Sequence, residues 1–265
     1  MNRLVPGVLL AGGWLALLFF GSVTLFWVVV VIAACLALFE YFRMASPDLT
    51  VPRLVLAILA CLLPVLVAVA GRGDLILAAM IASLLGVVAI ALHGYGTIGD
   101  VHRFMSCGGF ATLYVSLCVA HVVLIRHHPQ GPFWLTMLMV IVAGSDTGAY
   151  YAGRALGRRK LFPQISPKKT VAGGVGGLLA GIAAAEVLNL LFPVQVNPFV
   201  LLVAAALLVV IGIGGDLTES MIKRSVGVKD SGTILAGHGG ILDRIDSLLL
   251  TAPVLYYLLH FGLLE

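Results

Sequence analysis

Residues 5–42, VPGVLLAGGWLALLFFGSVTLFWVVVVIAACLALFEYF, decide the fold class. They form two apolar runs, Val5 to Phe20 and Val23 to Phe42, split only by Gly21-Ser22, with no charge before Glu40. A helix needs roughly 17–25 apolar residues to cross a bilayer core of about 30 Å. The two runs are together too long for one crossing, so a tight hairpin at Gly21-Ser22 is expected. The runs are unbroken rather than alternating, which points to helices and away from a β-barrel. The first run lacks a polar region with a cleavage site and is expected to stay as an anchor.

The remaining sequence repeats this pattern. Further spans are expected at Leu54 to Ala70, Leu75 to Leu92, Gly108 to Ile125, Phe133 to Tyr151, Val171 to Phe192, Phe199 to Leu217 and Ile241 to Phe261, about nine in all. Of the 265 residues, 61% are hydrophobic and 11% charged, with a mean hydropathy of +1.11. Soluble domains average about 45–50% and about 25%. A soluble globular protein, a disordered chain and a disulfide scaffold are thereby excluded. The net charge of +4 is too small to argue for nucleic acid. Cys35, Cys61, Cys107 and Cys118 show no C-x-x-C spacing and read as small core residues.

Orientation follows from where the cations fall. With nine spans, one face collects Arg3, Arg43, Arg53, Arg103, Arg154, Arg158, Arg159, Lys160, Lys168, Lys169, Lys223, Arg224 and Lys229, while the other holds only Arg72 and Arg126. The expected fold is an all-α integral membrane protein with a cytoplasmic N-terminus and an extracytoplasmic C-terminus. Residues 1–92 read as a hydrophobic scaffold facing lipid. Residues 93–265 hold most of the charge and both polar loops, and are expected to carry the chemistry.

Each ionisable group inside a span costs at least about 2.5–3.5 kcal/mol and needs a reason. Asp146 lies in Gly144-Ser145-Asp146-Thr147-Gly148 and Asp216 in Gly214-Gly215-Asp216-Leu217-Thr218-Glu219-Ser220. Asp243 and Asp246 open the last span on one helical face, with Arg244 turned about 100° away. The cation-based topology puts all four at cytoplasmic helix ends. Carboxylates gathered at one depth repel unless a cation lies between them, and all-oxygen ligation suits Mg²⁺. The structural alternative pairs them with nearby Arg and Lys or with helix N-termini. Glu186 and Glu40 read as packing or interfacial residues.

Between the last two spans, Lys223, Arg224 and Lys229 precede Gly237-His238-Gly239-Gly240 and a helix start. Glycines let backbone N–H groups turn toward an anion, and a helix N-terminus adds a positive end. Beside a divalent cation this suits a polyphosphate. The loop from Arg154 to Lys169 adds further cations on the same face. Positive-inside topology and anionic lipid could also account for any single lysine. His238 suits phosphate contact better than proton transfer.

The run SMIKRSVGVKDSGTILAGHGGILDRID, residues 220–246, resembles the signature of the CTP:phosphatidate cytidylyltransferase (CDP-diacylglycerol synthase) family. Ser220, Lys223, Arg224, Lys229, Asp230, Gly232, His238, Gly239, Gly240, Asp243, Arg244 and Asp246 fall in matching places, and Ala236 stands where the family often has proline. SDTGAYYAGRALGRRK and ISPKKT resemble two more family segments, matching at Asp146, Ser166, Pro167, Lys168, Lys169 and Thr170. The resemblance covers roughly residues 140–250. It implies a Mg²⁺-dependent reaction of CTP with phosphatidate, giving CDP-diacylglycerol and pyrophosphate, at the cytoplasmic surface of the inner membrane.

It further implies that Asp216, Asp243 and Asp246, with Asp146, hold Mg²⁺, and that Lys223, Arg224 and Lys229 hold CTP phosphates or the lipid head. Ser166, Lys168, Lys169, Thr170, Ser220, Gly239, Gly240 and Arg244 are expected to line the substrates, with His238 in the catalytic group. The expected partners are CTP and the membrane lipid phosphatidate, with a homo-oligomer as a further option. A related CTP-dependent lipid or polyprenol enzyme is the nearest alternative. A secondary transporter would instead place carboxylates near mid-membrane and broken helices in both halves.

Overall fold

The computed structural model describes residues 4–192, 196–232 and 239–264, with side chains from residue 11 onward. Arg3, Ala236 and His238 lie outside the described residues. The chain is built from helices α1 (Leu4–Phe20), α2 (Val23–Ala45), α3 (Val51–Val67), α4 (Gly73–His93), α5 (Val101–Ala111), α6 (Cys118–His127) and α7 (Gly131–Leu156), then α8 (Val171–Leu191), α9 (Pro198–Ser225) and α10 (Leu242–His260). A π-turn over Thr112–Leu117 joins α5 to α6 as one rod. Seven helices are long and apolar enough to cross a membrane by length and composition, namely α2, α3 with its 3₁₀ extension, α4, the α5–α6 rod, α7, α8 and α9. In α1 the qualifying apolar stretch is shorter, Ala11–Phe20. Large apolar side chains such as Leu77, Leu85, Leu179 and Leu190 stand exposed on the outside, as lipid-facing residues do and soluble surfaces seldom do.

Local chemistry explains the breaks. Gly21-Ser22 separates α1 from α2, and the Ser22 hydroxyl accepts the Leu25 N–H at 3.1 Å as a helix cap. Phe26, Val30, Ala34, Leu38 and Phe42 then bury one face of α2, the 3.6-residue stripe of a helix packed on a core.

Two helices run further than their apolar segments suggest. α7 continues to Leu156 and α9 to Ser225, so Lys223 and Arg224 stand on the last turn of α9 instead of in a loop. The Glu219–Lys223 ion pair, four residues apart, extends α9 into its polar stretch. Cations in the last turn also favour the negative end of the helix. The Arg154–Lys169 segment folds in part as an antiparallel hairpin, β1 (Lys160–Phe162) with β2 (Ser166–Thr170). β2 runs directly into α8, where the Thr170 side chain accepts the Gly173 N–H at 3.0 Å.

α7 and α8 pack through small residues. Gly173, Gly177, Gly181 and Ala185 recur every four residues on the buried face of α8, the spacing that lets membrane helices approach closely. A Cβ on Gly148 of α7 would collide with Gly176 and Ala180. Gly148→Ala is therefore expected to cost about 1–3 kcal/mol of stability through overpacking. Gly214→Ala, with nothing within 4 Å of the new methyl, should be near neutral. Thermal unfolding of both variants in detergent checks this, and equal midpoints would refute the close approach.

Candidate active site

Where the polar part of α7, the start of α8, the hairpin and α9 meet, a cavity of about 390 Å³ opens. Its wall carries Asp146 and Arg154 from α7, Lys168, Lys169 and Thr170 from β2, Asp216 from α9 and Ser247 from α10. Lys169 Nζ lies 2.6 Å from Asp216 Oδ2, and both side chains keep part of their surface open. The Ser220 hydroxyl donates to Asp216 Oδ1 at 3.4 Å. Asp246 lies within electrostatic reach of Asp216 and Asp146, and its Oδ1 accepts the Ser247 N–H. α9 and α10 touch closely here, because Gly215 leaves room for the backbone of Asp246 and Ser247. The Tyr114 hydroxyl, carried on the π-turn, donates to the Gly215 carbonyl at 3.4 Å. Single π-turns are common beside functional sites.

A second cluster lies next to it in sequence. Lys223 is 9% exposed; its ammonium donates to Asp243 Oδ1 at 2.5 Å and forms an ion pair with Glu219, which is not aligned as a hydrogen bond. Asp243 Oδ2 accepts the N–H groups of Ser231 at 3.0 Å and Gly240 at 2.8 Å. Gly239 has φ +81°, and a Cβ there would lie 2.8 Å from Asp243 Oδ2. Both oxygens of Asp243 are thus engaged by the chain itself. Removing Lys223 would leave two largely buried carboxylates without their cation, a loss of about 3–5 kcal/mol for a buried pair.

Asp146, Asp216, Lys168, Lys169 and Thr170 therefore share one cavity; Ser220 contacts it through Asp216, and Asp246 accepts from Ser247 of its wall. Lys223, Asp243 and Gly240 form the neighbouring cluster. Arg224 and Lys229 are exposed outside both, with Arg224 donating to the Val228 carbonyl at 3.0 Å. Arg244 is exposed, and Ser166 is half-buried at the start of β2, off the cavity wall.

Three residues were missed or misplaced by the sequence reading. Arg154, which opens the loop of further cations but was given no site role, lines the cavity. Glu219 is 1% exposed and partners Lys223; its four-residue spacing to Lys223 was the available signal. Glu40, expected at the interface, is 2% exposed and bonded to the motif segment. A carboxylate at membrane depth was the signal there, by the rule already applied to the aspartates.

The donor set suits a hard divalent ion, because it is all oxygen. Mg²⁺ usually takes one or two protein carboxylates and completes its shell with water and substrate phosphate. Asp216 with Asp146 or Asp246 meets that need. Among the described residues, no three acidic, imidazole or thiol groups are close enough to enclose an ion by themselves.

Fold and site together define a multi-pass helical membrane protein with a carboxylate- and lysine-lined cavity at the polar ends of its helices. The chain belongs to the cytidylyltransferase family, whose model matches residues 1–262. It is similar to the phosphatidate cytidylyltransferase of Bacillus subtilis, at 44% identity over 155 residues, covering 57% of this chain and 58% of that protein. The phosphatidate cytidylyltransferase of Haemophilus influenzae is 42% identical over 144 residues, 52% of this chain and 49% of the relative. That of Pseudomonas aeruginosa is 44% identical over 139 residues, 52% and 51% respectively. The matches span about half the length of these curated relatives.

Proposed function

We propose that this chain transfers the cytidylyl group of CTP to phosphatidate, yielding CDP-diacylglycerol and pyrophosphate. The observation that carries the reading is the cavity lined by Asp146, Asp216, Lys168, Lys169 and Arg154, with Lys169 paired to Asp216. The names of its relatives support the same reaction. An oxygen of the lipid phosphate attacks the α-phosphorus of CTP. The bond from that phosphorus to the bridging oxygen breaks, and pyrophosphate leaves with the electron pair. The attacking phosphate is already ionised near neutral pH, so no side chain need remove its proton. Catalysis then consists of positioning and charge neutralisation.

Lys168, Lys169 and Arg154 bind the triphosphate. Lys169 is paired with Asp216, so a phosphate that draws Lys169 away would leave the Asp216 carboxylate without that partner. Asp216 with Asp146 or Asp246 would hold Mg²⁺, which would supply neutralisation of phosphate charge. Asp243 and Lys223 hold the motif segment in place, and Arg224 and Lys229 attract anionic substrate from outside the cavity. The bundle makes nine crossings of the inner membrane, with the N-terminus and the cavity cytoplasmic. Acyl chains then stay in lipid while soluble CTP enters from the cytoplasm.

CTP-dependent pyrophosphate release by purified protein is expected to require added phosphatidate. Release without any lipid, or with a polyprenol alone, would overturn the substrate assignment. A reporter fused after Glu265 should report an extracytoplasmic C-terminus, and a cytoplasmic signal would remove one crossing.

A further inference from the structure

Glu40 stands near the end of α2, in the half of the chain that otherwise supplies apolar helices. Its Oε1 accepts the Ile241 N–H at 3.0 Å. Its Oε2 accepts the Leu242 N–H at 2.9 Å and the Ser231 hydroxyl at 3.1 Å. A helix start leaves backbone N–H groups without partners, and the residue at the start of α10, Ile241, offers no side-chain cap. A carboxylate 201 residues earlier supplies it. Negative charge is favoured at that end of a helix, which offsets the burial of Glu40 among apolar neighbours.

The same two stretches are also held by Asp243, which accepts the N–H groups of Ser231 and Gly240. Gly232 and Gly240 leave space for Glu40; a Cβ on Gly232 would lie 2.6 Å from Oε1. Further along, α10 is held by buried Leu249, Ala252 and Leu255. Loss of Glu40 would therefore release the first turn and not the helix. That turn carries Asp243, and Asp246 one turn on.

We propose that Glu40 is a positioning residue for nucleotidyl transfer: by clamping Ser231 to the first turn of α10, it keeps Asp243 beside Lys223 and Asp246 beside Asp216. This rests on the reading of the cavity as the cytidylyl-transfer site. Glu40 touches no substrate, so it acts through the segment it holds.

The test uses the full chain in lipid nanodiscs, with Glu40→Ala, Glu40→Gln and, as a control carboxylate on α8, Glu186→Gln. Glu40→Ala is expected to lower kcat at least about thirtyfold, with KM for phosphatidate within about threefold of wild type. Amide exchange at Ile241 and Leu242 should accelerate at least about tenfold, while exchange in α3 and α4 stays unchanged. Glu40→Gln keeps one acceptor oxygen and should recover at least about a third of the wild-type kcat. Glu186→Gln should match wild type.

Unchanged kcat in Glu40→Ala would overturn the inference, even with faster exchange at the first turn. So would faster exchange throughout the fold in both Glu40 variants, with kcat falling only in step with folded protein. A wild-type chain that forms no CDP-diacylglycerol would overturn the activity reading instead.

Discussion

Asp216→Asn is expected to lower CDP-diacylglycerol formation by at least about a thousandfold, or about 4 kcal/mol of transition-state stabilisation. Asp216 is the carboxylate on which the cavity converges. It lines the wall, pairs with Lys169 at 2.6 Å and accepts from Ser220. An amide keeps the shape but loses the charge a divalent ion needs, and it presents N–H donors toward Lys169. The variant should still insert, because removing a charge from α9 makes the span easier to bury. Chelation by EDTA should abolish wild-type turnover, and Mg²⁺ should restore it. Initial rates at matched levels of folded protein give the comparison. Robust turnover in EDTA, or in Asp216→Asn, would sink the assignment of a metal to this cavity.

Lys169→Met should lower kcat/KM for CTP by about a hundredfold, or about 2.7 kcal/mol. Met fills much of the same space, so the loss would report the ammonium group and not the packing. The side chain of Lys169 is 25% exposed, open enough to exchange Asp216 for a phosphate. On the proposed reading, removing it would also end the competition between ammonium and metal for Asp216. The Mg²⁺ concentration for half-maximal rate should therefore fall or stay level, although nucleotide binding weakens. Arg43→Gln, exposed at the end of α2 and far from the cavity in sequence, should leave kcat/KM unchanged. Equal losses in the two variants would return Lys169 to a role in topology and lipid contact.

The polar residues of the two carboxyl-terminal motifs were legible because charge at membrane depth is costly and cannot be incidental. That rule together with the cation-based topology pointed to Asp146, Asp216, Asp243 and Asp246, the basic loop supplied Lys168 and Lys169, and the resemblance added Thr170. The division of labour among them was not legible. Spacing made Asp243 and Asp246 equivalent members of one helical face. In the structure, Asp243 is occupied by Lys223 and two backbone N–H groups, whereas the Asp246 side chain accepts the Ser247 N–H. Lys223 and Lys169 looked alike in sequence, yet one is buried between two carboxylates and the other lines the open cavity.

The sequence by itself determined the class of the molecule, the apolar stretches of its helices and the break at Gly21-Ser22. Apolar length and cap chemistry are local properties, and they act on each segment before any tertiary contact forms. Only the tertiary structure decided which charges meet. Glu40 caps a helix that begins 201 residues later, and Arg154 reaches the same cavity as Asp216. Such contacts depend on how helices pack, here through the glycine stripe of α8 against α7. Burial makes an unpaired charge expensive, so the packed fold selects each partner by proximity in space, a quantity that spacing along the chain does not encode.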